Sequence, residues 1–144
     1  MYGLLHTCNL IGKLDYLEKL TLIVSAIGHD LDHPGFNNAY QINARTDLAL
    51  IYNDQSPLEN HHCSMTFMIL KDPDTNILKN LTDKEFMEFR RGVIRNILAT
   101  DMAKHGEHMA KWKVMTENFN NSDPEHKAMV SEITFNIEIQ FIIV

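Results

Sequence analysis

Two histidines and two carboxylates fall within five residues of this chain, at His29, Asp30, Asp32 and His33. Neutral imidazole nitrogens and carboxylate oxygens bind divalent metal ions, and one carboxylate can bridge two ions. Adjacent His and Asp residues also occur by chance as solvated surface residues, so that interpretation stays open beside a metal site. The position of His33, four residues after His29, makes a metal site about as well supported as the solvated interpretation.

A helix is expected to position this motif. The apolar run 22–27 comes directly before the motif, and a Pro-Gly turn follows it. Because the residue before a proline avoids the α region, the helix should end at about Asp32 or His33. His29 and Asp30 would then lie in its last turn. A carboxylate there is unfavourable by a few tenths to about 1 kcal/mol, which a bound cation would offset.

Two further helix starts are predicted downstream. Ser56 is followed by Pro57 and Glu59, which predicts a helix capped by the Ser56 hydroxyl, with Glu59 completing a capping box. Thr82 and Glu85 predict a second capping box. The apolar residues after Thr82 fall on one helical face, namely Phe86, Phe89, Val93, Ile94, Ile97 and Leu98. These patterns predict an all-α, multi-helix domain.

The C-terminal segment departs from this pattern. Apolar and polar residues alternate from Ile133 to Phe141, which is the periodicity of a strand. We therefore expect one domain over residues 1–130 and a divergent, strand-like apolar tail over 131–144.

Composition limits the classes of function. The chain has 144 residues, 44% of them hydrophobic, and a net charge of −6. This charge argues against binding to nucleic acid or to an anionic membrane surface. The two cysteines are too few for a disulfide framework, and no apolar run approaches the roughly 18–20 residues that span a bilayer. A cytoplasmic location is the expectation.

The order of four motifs resembles the catalytic domain of the 3′,5′-cyclic-nucleotide phosphodiesterases, which are HD-superfamily metallohydrolases. The motifs occupy residues 29–35, 52–54, 58–62 and 98–102. Residues 37–46, Ser56-Pro57 and Cys63 are most similar to the cGMP-selective type-9 branch. The resemblance implies an all-helical fold and hydrolysis of a cyclic nucleotide, cGMP in preference to cAMP, to the 5′-monophosphate.

The resemblance also implies roles for single residues. His29 and Asp30 would bind a zinc ion, and Asp30 would bridge to a magnesium or manganese ion. His33 would lie beside the two ions and orient the attacking water. Glu59 and Thr100 would hydrogen-bond to waters on the second ion.

Met102 would line the pocket near the metals. Without the resemblance, Glu59 is explained by its capping box and Thr100 by a helix-end hydrogen bond to the backbone. His61 and His62 are expected to be buried, hydrogen-bonded histidines rather than ligands.

Some features of the family are missing from these residues. The family has an upstream His-Asn-x-x-His motif, which supplies the general acid and a metal ligand, and a downstream Asp ligand. We therefore expect an incomplete site, weak metal binding and essentially no activity from this chain alone. A non-catalytic chain that acts, if at all, by binding a partner or a full-length enzyme through its uncovered helical faces is the alternative. A generic metal-binding helical bundle is a third hypothesis.

Overall fold

The computed structural model describes Gly12, residues 14–117, Asn120 and Asp123. These residues form six α-helices and one 3-10 helix, and no strand occurs among them, which confirms the all-α prediction. The elements are α1 (Tyr16–Gly28), α2 (Asn38–Asn43), α3 (Asp47–Ile51), α4 (Pro57–Lys71), α5 (Asp83–Leu98), the 3-10 helix Met102–Lys104 and α6 (His105–Glu117).

Two predicted features of the helix starts can be compared with the structure. The capping box at Thr82 is confirmed, since the Thr82 side chain accepts from the Glu85 N–H and the Glu85 carboxylate accepts from the Thr82 N–H. The predicted cap at Ser56 is wrong, because its side chain makes no capping hydrogen bond. Ser56 has φ 44° and ψ 56°, and its hydroxyl donates instead to Asp101 Oδ2 at 2.7 Å.

The core lies where α1, α4 and α5 pack together. Phe89, Val93 and Ile97 of α5 are fully buried, and they contact a cluster that includes Val24 of α1 and Cys63 of α4. The predicted apolar face of α5 is confirmed at these three positions, because residues spaced by three or four share one side of a helix.

Small residues let α1 approach its neighbours closely. A Cβ at Gly28 would overlap Thr66 Oγ1 of α4, and a Cβ at Gly92 of α5 would lie 2.7 Å from Thr21 Cγ2. The buried Asn96 donates to Ser25 Oγ at 3.1 Å, so a polar contact joins α1 to α5 inside the core. This close packing brings the C-terminal end of α1 next to α4.

Two predictions fall outside the described residues. They are the tail over 131–144 and the domain boundary at 130. Among the residues that are described, no helix is both long and apolar enough to cross a membrane.

Candidate functional site

The motif at the end of α1 forms a turn rather than a continuation of the helix. α1 ends at Gly28, with His29 as its C-cap, so the predicted end at Asp32 or His33 is wrong. The His29 ring explains the early end, because its Nδ1 donates to the Ala26 carbonyl at 2.9 Å and so satisfies a backbone acceptor that the next helical turn would have used. Asp30 therefore lies beyond the helix.

The turn then exposes its polar side chains. Asp32 has φ 61° and Gly35 has φ 84°, and the Gly35 N–H donates to His33 Nδ1 at 2.9 Å. Asp30, Asp32 and His33 are exposed, while His29 is half-buried. The turn thus presents two carboxylates and an imidazole at the surface beside α4.

Two histidines of α4 bind this turn. His62 Nδ1 donates to the Leu31 carbonyl at 2.7 Å, and His61 Nε2 donates to Asp32 Oδ2 at 2.8 Å. His62 is only 2% exposed, which confirms the prediction that it is buried and hydrogen-bonded. Its Nε2 lies 3.8 Å from Asp30 Oδ1.

One group of side chains among the described residues could hold a metal ion. It consists of Asp30, His33 and His62, which offer ligand atoms that all lie within 4.8 Å of one another. Of the two ligands expected from the resemblance, Asp30 belongs to this group and His29 does not. From the sequence, His62 is expected to be a hydrogen-bonded histidine rather than a ligand, because no local pattern relates it to a turn so far back along the chain.

The hydrogen bonds assign the tautomers of these histidines. His29 and His62 each donate from Nδ1 to a carbonyl, so in the neutral ring Nε2 keeps a lone pair that can bind a cation. His33 accepts at Nδ1 from a backbone N–H, so its neutral ring carries the proton on Nε2. The donor set therefore fits a divalent cation held by the Asp30 carboxylate and His62 Nε2, with the Nε2–H of His33 as a hydrogen-bond donor beside it.

Burial also favours the neutral form of His62. Loss of solvation lowers the pKa of His62 below 6.5, and this effect outweighs the Leu31 carbonyl and the Asp30 carboxylate, which act in the opposite direction. A neutral imidazole is the form that binds a metal ion.

Glu59 is half-buried near the start of α4, but it is not part of a capping box. Its Oε2 accepts from Asn38 Nδ2 at 2.8 Å. Burial raises the pKa of the Glu59 carboxyl above 4.5, and the Asn38 hydrogen bond works against that rise. The predicted capping-box role is therefore wrong, because Asn38 of α2 provides the partner.

The last group of predicted residues follows α5. Thr100 Oγ1 donates to the Ile97 carbonyl at 2.7 Å. This is the helix-end hydrogen bond to the backbone that explains Thr100 without the family resemblance. Met102 is 63% exposed. Asp101, which the sequence did not assign, is buried and accepts from Ser56 and from the Ala103 N–H. The roles expected for Thr100 and Met102 near the cations stay predictions.

The sequence of this chain is similar to those of known proteins. The profile of the 3′5′-cyclic nucleotide phosphodiesterase family matches residues 1–140. The chain is 50% identical over 133 residues to the human high affinity cGMP-specific 3′,5′-cyclic phosphodiesterase 9A, covering 92% of this chain and 22% of that protein. It therefore spans about a fifth of the length of that relative.

Solved structures show the same fold. The phosphodiesterase domain of the RhoPDE fusion protein from the choanoflagellate Salpingoeca rosetta superposes with a TM-score of 0.82 at 38% identity, over 85% of this chain and 40% of that one. LmjPDEB1 in complex with IBMX gives a TM-score of 0.79 at 33% identity, over 85% and 38% of the two chains. The extent of the profile match shows that this chain belongs to the 3′,5′-cyclic nucleotide phosphodiesterase family.

Proposed function

We propose that this chain forms part of an enzyme that hydrolyses a 3′,5′-cyclic nucleotide, cGMP in preference to cAMP, to the 5′-monophosphate in a metal-dependent reaction. The observation that carries the proposal is the convergence of Asp30, His33 and His62 within 4.8 Å beside the end of α1. Membership of the family supplies the reaction class. The preference for cGMP rests on the 50% identity to a cGMP-specific relative.

In the proposed site, His29 and Asp30 would hold a zinc ion, and Asp30 would also help to hold a magnesium or manganese ion. We add His62 as a candidate ligand, because its Nε2 lone pair faces Asp30. Bound cations would supply Lewis-acid activation of a water molecule and neutralise negative charge on the phosphate.

Side chains of this chain would then form hydrogen bonds that orient the attacking water and the phosphate. The Nε2–H of neutral His33 is a donor toward the attacking water or a phosphate oxygen. The carboxylate of Glu59 and the hydroxyl of Thr100 would accept hydrogen bonds from waters around the cations. Met102 would line the pocket near the cations.

The test combines binding and turnover by the 144-residue chain. Zn²⁺ and Mn²⁺ affinity and hydrolysis of cGMP and cAMP would be measured for the wild type, Asp30→Asn and the exposed control Asp74→Asn. We expect Asp30→Asn to weaken cation binding by at least about tenfold, since a direct ligand is lost, and Asp74→Asn to leave it unchanged.

Turnover by the isolated chain is expected to be negligible, because its residues lack the general acid that the resemblance implies. Equal cation affinity in all three proteins would contradict the metal site. Turnover that persists in Asp30→Asn would contradict the proposed role of Asp30.

A further inference from the structure

The start of α4 receives its capping hydrogen bond from another helix. The hydroxyl of Ser56 points to Asp101, so the first turn of α4 lacks a cap from its own sequence. The Leu58 N–H instead donates to Asn38 Oδ1 at 3.0 Å. The same Asn38 side chain donates from Nδ2 to Glu59 Oε2 at 2.8 Å. One amide from α2 therefore satisfies the backbone of α4 and holds a carboxylate on its first turn.

The Asn38 amide performs two tasks at this position. The Leu58 N–H requires an acceptor and the Glu59 carboxylate requires a donor, and asparagine offers one of each. The neighbouring Asn37 has a different task, since its side chain caps α2 by accepting from the Tyr40 N–H at 2.9 Å. Asn37 therefore forms a local cap, whereas Asn38 forms a contact with a residue 21 positions away in the chain.

Glu59 lies on the first turn of α4, three residues before His62 of the candidate metal group. Residues three apart on a helix are neighbours on one face, so Glu59 lies one turn before His62. Glu59 is half-buried, and a carboxylate in such surroundings needs a hydrogen-bond donor to hold one orientation.

We propose that Asn38 is a positioning residue, which holds the Glu59 carboxylate on the His62 side of α4, toward waters around a cation bound at Asp30 and His62. The proposal rests on the proposed function for the presence of that cation. It predicts that Asn38 affects cation binding only through Glu59.

Two single variants of the 144-residue chain, Asn38→Asp and Glu59→Gln, and their double variant test this role. In Asn38→Asp the Leu58 N–H keeps its acceptor, but a carboxylate faces Glu59. In Glu59→Gln the contact with Asn38 can be kept while the charge is lost. In the double variant, the new amide at position 59 donates to the new carboxylate at position 38, so the contact returns with its donor and acceptor reversed. Mn²⁺ affinity by electron paramagnetic resonance and thermal midpoints would be measured for each, with Asn37→Ala as the control.

We expect Asn38→Asp to lower the thermal midpoint and to weaken Mn²⁺ binding by about tenfold, a loss typical of removing a group that orients a metal site. The double variant should recover the midpoint but not the affinity, because the carboxylate has left position 59. Asn37→Ala should lower the midpoint and leave Mn²⁺ affinity unchanged.

The proposal is overturned if Asn38→Asp leaves the Mn²⁺ affinity unchanged. It is also overturned if Asn38→Asp lowers the Mn²⁺ affinity as much in the Glu59→Gln variant as in the wild type. If the wild type binds Mn²⁺ no better than Asp30→Asn, the proposed function fails in this chain. Metal-free crystal structures of the wild type and Asn38→Asp then decide the role of Asn38. A displaced Glu59 carboxylate supports it, and an unchanged one overturns it.

Discussion

His62 connects the buried interior of α4 to the polar turn after α1. One nitrogen donates to the Leu31 carbonyl, and the other lies 3.8 Å from the Asp30 carboxylate. The backbone hydrogen bond fixes the ring orientation and the tautomer, as a supporting partner does for a metal ligand. The adjacent His61 instead donates to the side chain of Asp32. The two neighbouring histidines therefore allow a matched comparison.

His62→Ala is expected to weaken binding of Zn²⁺ by at least about tenfold relative to the wild type, since it removes a candidate ligand. His61→Ala removes the Asp32 contact but no ligand and should have the smaller effect. Isothermal titration calorimetry of both variants would measure the difference. Equal losses in the two variants would show that His62 acts only by holding the turn in place.

The lowered pKa of His62 predicts a pH dependence of stability without metal. Below about pH 6.5 the imidazole takes up a proton in the unfolded chain but stays neutral in the folded chain, so the unfolded state binds more protons. The free energy of unfolding should therefore rise with pH through this window and level off above it. Urea unfolding from about pH 5 to 8 with a chelator would measure this rise.

A His62→Gln variant provides the control for this measurement, because it cannot titrate. The rise should be smaller in this variant than in the wild type. An identical pH profile for the two proteins would contradict the assignment of the effect to His62.

At the scale of elements, the contact between α1 and α4 determines where the site lies. Gly28 ends α1 against Thr66, whose hydroxyl donates to the His62 carbonyl at 2.8 Å. Because the last residue of α1 has no side chain, the following turn can approach the face of α4 that carries both histidines. Gly28 thus has a packing role.

Gly28→Ala is expected to destabilise the fold by about 1–3 kcal/mol, since the new methyl group would overlap the Thr66 side chain. Adding Thr66→Ala should restore part of this loss by making room. Gly106→Ala is the control, because a Cβ there meets no atom within 4 Å. Denaturant unfolding would compare the variants, and equal stability of Gly28→Ala and Gly106→Ala would contradict the close contact.

At the scale of the whole molecule, α5 holds together the two elements that carry the site. The fully buried Phe89, Val93 and Ile97 pack in one cluster with residues of α1 and α4. Phe67 of α4 meets Phe89 edge to face at 6.3 Å between ring centroids, and Arg90 lies over the Phe67 ring at 4.2 Å. The relative placement of Asp30 and His62 therefore depends on a core outside the site.

Phe89→Ala is expected to cost about 3–5 kcal/mol, because it removes a fully buried ring from the centre of this cluster. Such a loss is a large fraction of the roughly 5–15 kcal/mol that stabilises a domain, so cation binding should also weaken as the chain unfolds. Met87→Ala, at an exposed position of α5, should change stability by less than about 0.5 kcal/mol. Thermal unfolding would measure both, and similar midpoints would contradict the central role of Phe89.

Features that depend on neighbours within about four residues can be predicted from the residue pattern of this chain. This pattern predicted the helical class, the Thr82–Glu85 capping box and the apolar face around Phe89 and Val93. It also located Asp30 and His33 through their motif. Helix periodicity is local, so the spacing of residue types is enough to predict it. A capping box is predicted correctly where its side chains have no competing distant partner, as at Thr82 and Glu85.

The contacts between residues that are distant in the chain became known from the packing of the helices. This packing placed His62 beside Asp30, gave the start of α4 a cap from Asn38 and turned the Ser56 hydroxyl toward Asp101. Asn38 and Leu58 are 20 positions apart in the chain, and Ser56 and Asp101 are 45 apart. These contacts depend on how α1, α2, α4 and α5 pack, and no local pattern of residues specifies that packing.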